Sequence, residues 1–234
     1  MKQNLDKIYA QMKKACEEAN RNFEEVELIA VSKTYPKEAI EEAYSLGVRS
    51  FGENKVQELM QKMEQIDLPI NWHFIGHLQT NKVKYLIGKV ALIHSVDSEK
   101  LLLEIEKQSQ KQQITTEVLL EVNISNEASK WGFKIEEIKN ILEIAKTLKF
   151  TKIKGLMTVA PFVSNSSENL QIFEELFKLS VDIENQNIDN VTMDILSMGM
   201  SNDFSVAIKQ GATHIRVGTA LFGKREYATK TKED

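Results

Sequence analysis

In the stretch ELIAVSKTYPKEAIEEAYSLG, residues 27–47, an apolar run from Leu28 to Val31 reads as a buried strand. It delivers an ammonium group, Lys33, to the point where that strand meets its following helix. A lysine amine desolvated in such a place has a lowered pKa and becomes a nucleophile toward carbonyl carbon. A second set of residues lies near the C-terminus. SMGMSND (197–203) offers Gly199 for close backbone approach, then Met200, then Ser201 as a hydroxyl donor or helix cap, with a short helix beginning near Asp203. RVGTALFG (216–223) adds Gly218 and Thr219. Backbone N–H groups at a helix N-terminus attract anions. Each glycine or serine alone is a turn or a cap, but the set together points to a phosphate.

Arg216 completes the constellation. Side-chain alternation puts Ile29, Val31 and Lys33 on one strand face, and His214, Arg216 and Gly218 on another. If those two strands adjoin, two cations line one pocket, and they repel unless an anion or an acceptor lies between them. The plainer alternative sends Lys33 out to water and pairs Arg216 with a carboxylate such as Asp194. A phosphate on one side and an interior lysine on the other describe two ligand classes. One is a phosphorylated carbonyl compound held by an aldolase-type lysine; the other is pyridoxal 5′-phosphate (PLP). Arg216 favours a PLP whose ring nitrogen accepts and stays unprotonated, because a guanidinium only donates.

Other candidates carry less. HFIGH (73–77) has two histidines four apart but lies in a strand pattern and lacks the glutamate of H-E-x-x-H, so no metal is expected. His77, at a strand end, is a ligand-site candidate. Asn54 ends the second strand. His94 and His214 read as packed or capped, and Met157, Met198 and Met200 as core or pocket wall.

The elements that must position these residues alternate strictly. Strand patterns at 26–34, 48–54, 71–79, 90–97, 116–125, 151–161, 191–201 and 213–223 have a helical pattern after each of the first seven and one helix in front. Strict βα alternation implies a parallel sheet, and near-continuous apolar strands imply burial on both faces. Eight units in 234 residues fit a single (β/α)8 TIM barrel with an additional N-terminal helix. An open doubly wound sheet fits less well, since no G-x-G-x-x-G follows the first strand. The barrel domain is expected over residues 1–225, and residues 226–234 as a polar, disordered tail.

Composition excludes several classes. The formal net charge of −4 gives no basic footprint for nucleic acid. One cysteine, Cys16, excludes an intrachain disulfide framework. No apolar run reaches the roughly 18–20 residues that span a bilayer, and the charged N-terminal helix lacks a signal peptide's apolar centre. Cytoplasmic residence is the expectation.

Nine blocks occur in order: AVSKTYP, FGENKVQEL, WHFIGHLQTNK, HSVDS, VNIS, KWGF, GLMTVAPF, LSMGMSNDF and IRVGTALFG. With them the sequence resembles the pyridoxal phosphate homeostasis proteins over nearly its whole length. The resemblance implies a barrel like the N-terminal domain of bacterial alanine racemase, with PLP held as a Schiff base on Lys33. It implies that Gly199, Ser201, Gly218 and Thr219 hold the phosphate, with Met200 backbone near it. It further implies that Arg216 faces the pyridine nitrogen, that Asn54 lies beside the cofactor and that Lys130 falls in a region linked to PLP handling. Racemases of this type take a second base, a tyrosine, from an added β-domain of a partner subunit, and here eight βα units use nearly the whole chain. The expected role is therefore a non-catalytic carrier or buffer of PLP, with apo PLP-dependent enzymes as recipients and a monomeric state. A weak PLP-dependent racemase or a Schiff-base aldolase is the alternative.

Overall fold

The computed structural model describes residues 1–127 and 130–223. The expected tail, 226–234, lies outside the described residues, as does the expected domain boundary at 225. The strands are β1 (Glu27–Val31), β2 (Ser50–Glu53), β3 (Asn71–Phe74), β4 (Leu92–Val96), β5 (Thr116–Glu121), β6 (Thr151–Met157), β7 (Val191–Met200) and β8 (His214–Val217). They form one closed parallel barrel in chain order. β1 closes it by pairing on both sides, Ile29 standing level with Ser50 of β2 and with Arg216 of β8.

Alternation along each strand sorts the core. Leu28, Ala30, Phe51, Trp72 and Phe74 point outward into the shell between strands and helices. Leu92, Leu119 and Met157 form a small separate cluster, with Ile195 packed against it. The outer helices are α1 (Lys2–Glu18), α2 (Lys37–Ser45), α3 (Val56–Gln65), α4 (Glu99–Gln112), α5 (Ile135–Ala145), α6 (Leu170–Glu184), α7 (Phe204–Lys209) and α8 (Thr219–Phe222). Helix α1 buries Leu5, Ile8, Met12, Ala15 and Cys16, a stripe at helical spacing. It packs against α7 and α8, and Arg21 just beyond it donates to the Ile208 and Ala212 carbonyls, each at 2.8 Å.

Two elements depart from the sequence expectation. TNKVKYLI forms a 3₁₀ helix, Thr80–Tyr85. The last strand stops at Val217, and Thr219–Phe222 is helical instead of extended. Gly218 breaks the strand, and its carbonyl takes the N–H groups of both Leu221 and Phe222 at 2.9 Å. The eighth strand thus has a helix of its own.

Candidate functional site

A cavity of about 310 Å³ lies where the strands end in their carboxyl termini, the face at which such barrels place their chemistry. Val31 and Lys33 line it from the end of β1 and the turn after it, Asn54 from just past β2, Met200 and Ser201 from the end of β7 and just past it, and Arg216, Gly218 and Thr219 from β8 and its turn. The loop after β6 adds the apolar side chains of Val159, Pro161, Phe162 and Val163. Phe162 is 84% exposed although it sits on the cavity wall. Lys33 and Arg216 therefore share one pocket. Asp194, the alternative partner weighed for Arg216, pairs with Lys154 at 2.6 Å.

At one end of the cavity, three donors converge on a single oxygen. The N–H groups of Gly218 and Ala220 and the Thr219 hydroxyl all point at Ser201 Oγ, each at 3.4 Å. These are long contacts, so the donors are only loosely satisfied by it. A Cβ on Gly218 would meet Val31 at an ordinary 3.4 Å, and its φ of −113° is open to any residue. Neither neighbours nor backbone demand glycine there; its absent side chain leaves room in the cavity. Gly199 does not line the wall but shapes the turn: φ is +89°, and a Cβ would stand 2.6 Å from Ala207 Cβ. Asp203, buried beneath, accepts from the Met200 N–H at 2.6 Å and from Asn169 Nδ2 at 2.8 Å.

Arg216 is buried without a carboxylate in contact among the described residues. It donates to Ser197 Oγ at 2.6 Å and to the Thr158 carbonyl at 2.8 Å, leaving three of its five N–H donors. Behind it runs a buried chain: His94 Nδ1 meets Ser197 Oγ at 2.8 Å, and His94 Nε2 meets His73 Nδ1 at 2.9 Å. Burial holds His94 well below the usual imidazole range and His73 at about 4. At the far end of the barrel, His214 pairs with Glu27 at 3.1 Å. Burial also pulls Arg216 down to about 10, against the carboxyls of Glu121 and Asp203. It pushes Glu121 up to about 7, with Asp97 adding to the rise and Arg216 opposing it. Asn54 lines the cavity with its Oδ1 buried and lacking a hydrogen-bond partner. Gly76 lets it sit there, since a Cβ at Gly76 would fall 2.4 Å from the Asn54 carbonyl.

His77 stands off the cavity wall. Its Nδ1 meets Asp97 Oδ2 at 2.7 Å, and its ring stacks on Trp131 with centroids 3.8 Å apart. Lys130 pairs with Glu127 at 2.8 Å, likewise outside the wall. Among the described residues no group of three or more His, Cys, Asp or Glu side chains is placed to hold a metal ion, and no helix is long and apolar enough to cross a membrane. Sequence reasoning missed Glu121, Ser197 and the Glu53–Glu58–Lys62 group beside Lys33. The FGENKVQEL block includes Glu53 and Glu58 and the LSMGMSNDF block includes Ser197, but neither pattern assigned them a role.

A family model described as the alanine racemase N-terminal domain matches residues 3–226. The pyridoxal phosphate homeostasis protein of Aquifex aeolicus is 45% identical over 96% of this chain and 98% of its own length. PipY of Synechococcus elongatus, solved with PLP bound, is 35% identical with a TM-score of 0.79, over 85% of this chain and 93% of PipY. Alanine racemase of Clostridium difficile, at 14% identity, has a TM-score of 0.73 over 96% of this chain and 56% of the racemase, a likeness of fold alone. This chain belongs to the alanine racemase N-terminal domain family, among the pyridoxal phosphate homeostasis proteins.

Proposed function

We propose that this chain binds PLP through Lys33 and acts in PLP homeostasis by holding and releasing the cofactor. The observation that carries this reading is one cavity containing an amine, a buried guanidinium and three donors aimed at one point. The residues fit the group. The Gly218 and Ala220 N–H groups and the Ser201 and Thr219 hydroxyls suit a phosphate. The orphaned Asn54 Oδ1 would accept from a ring hydroxyl. Bound PLP supplies an aldehyde that condenses with a lysine amine. Lys33 is the amine of the wall, and Arg216 offers a permanent donor to a ring nitrogen, which weakens the ring as an electron sink.

A holding role, as opposed to turnover, draws support from the other ionisable side chain of the wall. Asp203 is committed to the Met200 N–H and to Asn169. We read the chain as a monomeric cytoplasmic protein that hands its cofactor to PLP-dependent apoenzymes. The purified protein mixed with PLP is expected to develop a visible absorbance band that Lys33→Ala lacks. A wild-type protein with no band and no bound PLP refutes the binding reading. Amino acids incubated with the loaded protein in deuterated water should keep their α-protons. Exchange at enzyme-like rates would replace the holding role with a racemase-like one.

A further inference from the structure

In the block FGENKVQELMQK, Glu53, Glu58 and Lys62 stand off the cavity wall. All three converge on the turn that carries Lys33. Lys62 is buried, and its Nζ donates to Glu53 Oε1 at 2.6 Å, to Glu58 Oε1 at 2.7 Å and to the Ser32 carbonyl at 2.8 Å. Glu53, fully buried at the end of β2, also accepts from the Ser32 hydroxyl at 2.6 Å. Glu58 accepts from the Thr34 N–H at 2.5 Å. The turn closes through the Tyr35 N–H to the Ser32 carbonyl at 3.0 Å. Tyr35 is pinned in its own right, its hydroxyl donating to the Gly223 carbonyl at 2.7 Å and its ring stacking on Phe222.

Thr34 has a φ of +68°, a left-handed conformation that a β-branched residue adopts only where its surroundings over-determine it. Those surroundings are the bonds just named, placed on Ser32, Thr34 and Tyr35. Lys33 is the residue between them whose side chain lines the cavity. A buried ion pair returns little net stability, because desolvation offsets its attraction. What this one supplies is direction. We propose that Glu53, Lys62 and Glu58 are positioning residues that hold the strained Ser32–Tyr35 turn so that the Lys33 amine meets the cofactor's aldehyde carbon. This rests on the reading of Lys33 as the PLP anchor.

The test compares two ligands that share the phosphate and ring but differ in the reacting group. PLP bonds to the lysine; pyridoxine 5′-phosphate, an alcohol, cannot. In Glu58→Ala and Lys62→Met, PLP affinity is expected to fall at least tenfold while that for pyridoxine 5′-phosphate stays within about twofold. Glu58→Gln, whose amide oxygen can still accept from Thr34, should recover most of the loss. Parallel weakening of both ligands, or unchanged PLP affinity, overturns the clamp. If Lys62→Met does not fold, Glu58→Ala, at a partly exposed position, decides alone. A wild-type protein that binds PLP no more tightly than pyridoxine 5′-phosphate defeats the anchoring role of Lys33 itself, a distinct result.

Discussion

A guanidinium has no lone pair to offer, so Ser197 Oγ must accept from Arg216. It also bonds His94 Nδ1; with two lone pairs and one proton it can serve either His94 tautomer. His94 Nε2 in turn meets His73 Nδ1, one of the two nitrogens donating and the other accepting. Ser197→Ala breaks the chain at its centre and leaves two buried groups unpaired. A loss of about 1–3 kcal/mol is expected in urea unfolding. The pH dependence follows from the same group. His73 is neutral down to about 4 in the folded chain, whereas its unfolded counterpart takes up a proton near 6.5. The unfolded state binds more protons in that window, so stability falls as pH drops from 6.5 to 4, by up to about 3 kcal/mol from this residue. His73→Asn should flatten that slope. Glu121 acts in the opposite direction. Its folded carboxyl keeps a proton up to about 7, while the unfolded one ionises near 4.5. Its contribution is full below 4.5 and lost as pH rises to 7. Glu121→Gln should gain stability over the wild type across that window, by up to about 3 kcal/mol at pH 8. Equal stability of the two proteins at pH 5 and 8 would refute this account of Glu121.

The βα elements were legible in the sequence because each strand is an apolar run followed by a 3.6-period stripe. Their ends were not. Asn54, Gln79 and Ser125 continue the extended pattern on paper, yet the strands stop at Glu53, Phe74 and Glu121, and Asn54 already belongs to the cavity wall. TALF reads as strand beside Val217, but the Gly218 carbonyl starts a helical turn. The turn between β7 and α7 tolerates little change. Gly199→Ala combines a left-handed φ with a contact of 2.6 Å to Ala207 Cβ and 2.9 Å to Phe204 Cα. Helix α7 must shift, and a cost of about 1–3 kcal/mol is expected. Calorimetry should register it as a melting temperature lower by several degrees. Thr34→Gly should do the reverse, relieving the left-handed strain and leaving the melting temperature unchanged or higher.

For the whole molecule, counting eight units was enough to make β1 and β8 neighbours, and so to bring Lys33 and Arg216 together. The cluster of donors around Ser201 was legible because its residues lie in two short segments. The supports of the site were not, because they join residues far apart in the chain: Ser197 meets His94 across 103 positions and Arg216 meets Thr158 across 58. No local pattern predicts such pairs; only closure of the barrel creates them. The stack of His77 on Trp131 has an optical consequence. The chain has two tryptophans. Trp72 is buried in the shell, while Trp131 is 59% exposed and lies flat against an imidazole. Trp131→Phe should therefore remove the red-shifted part of this protein's fluorescence and leave the bluer emission of buried Trp72, which makes Trp131 an unlabelled readout of the barrel rim.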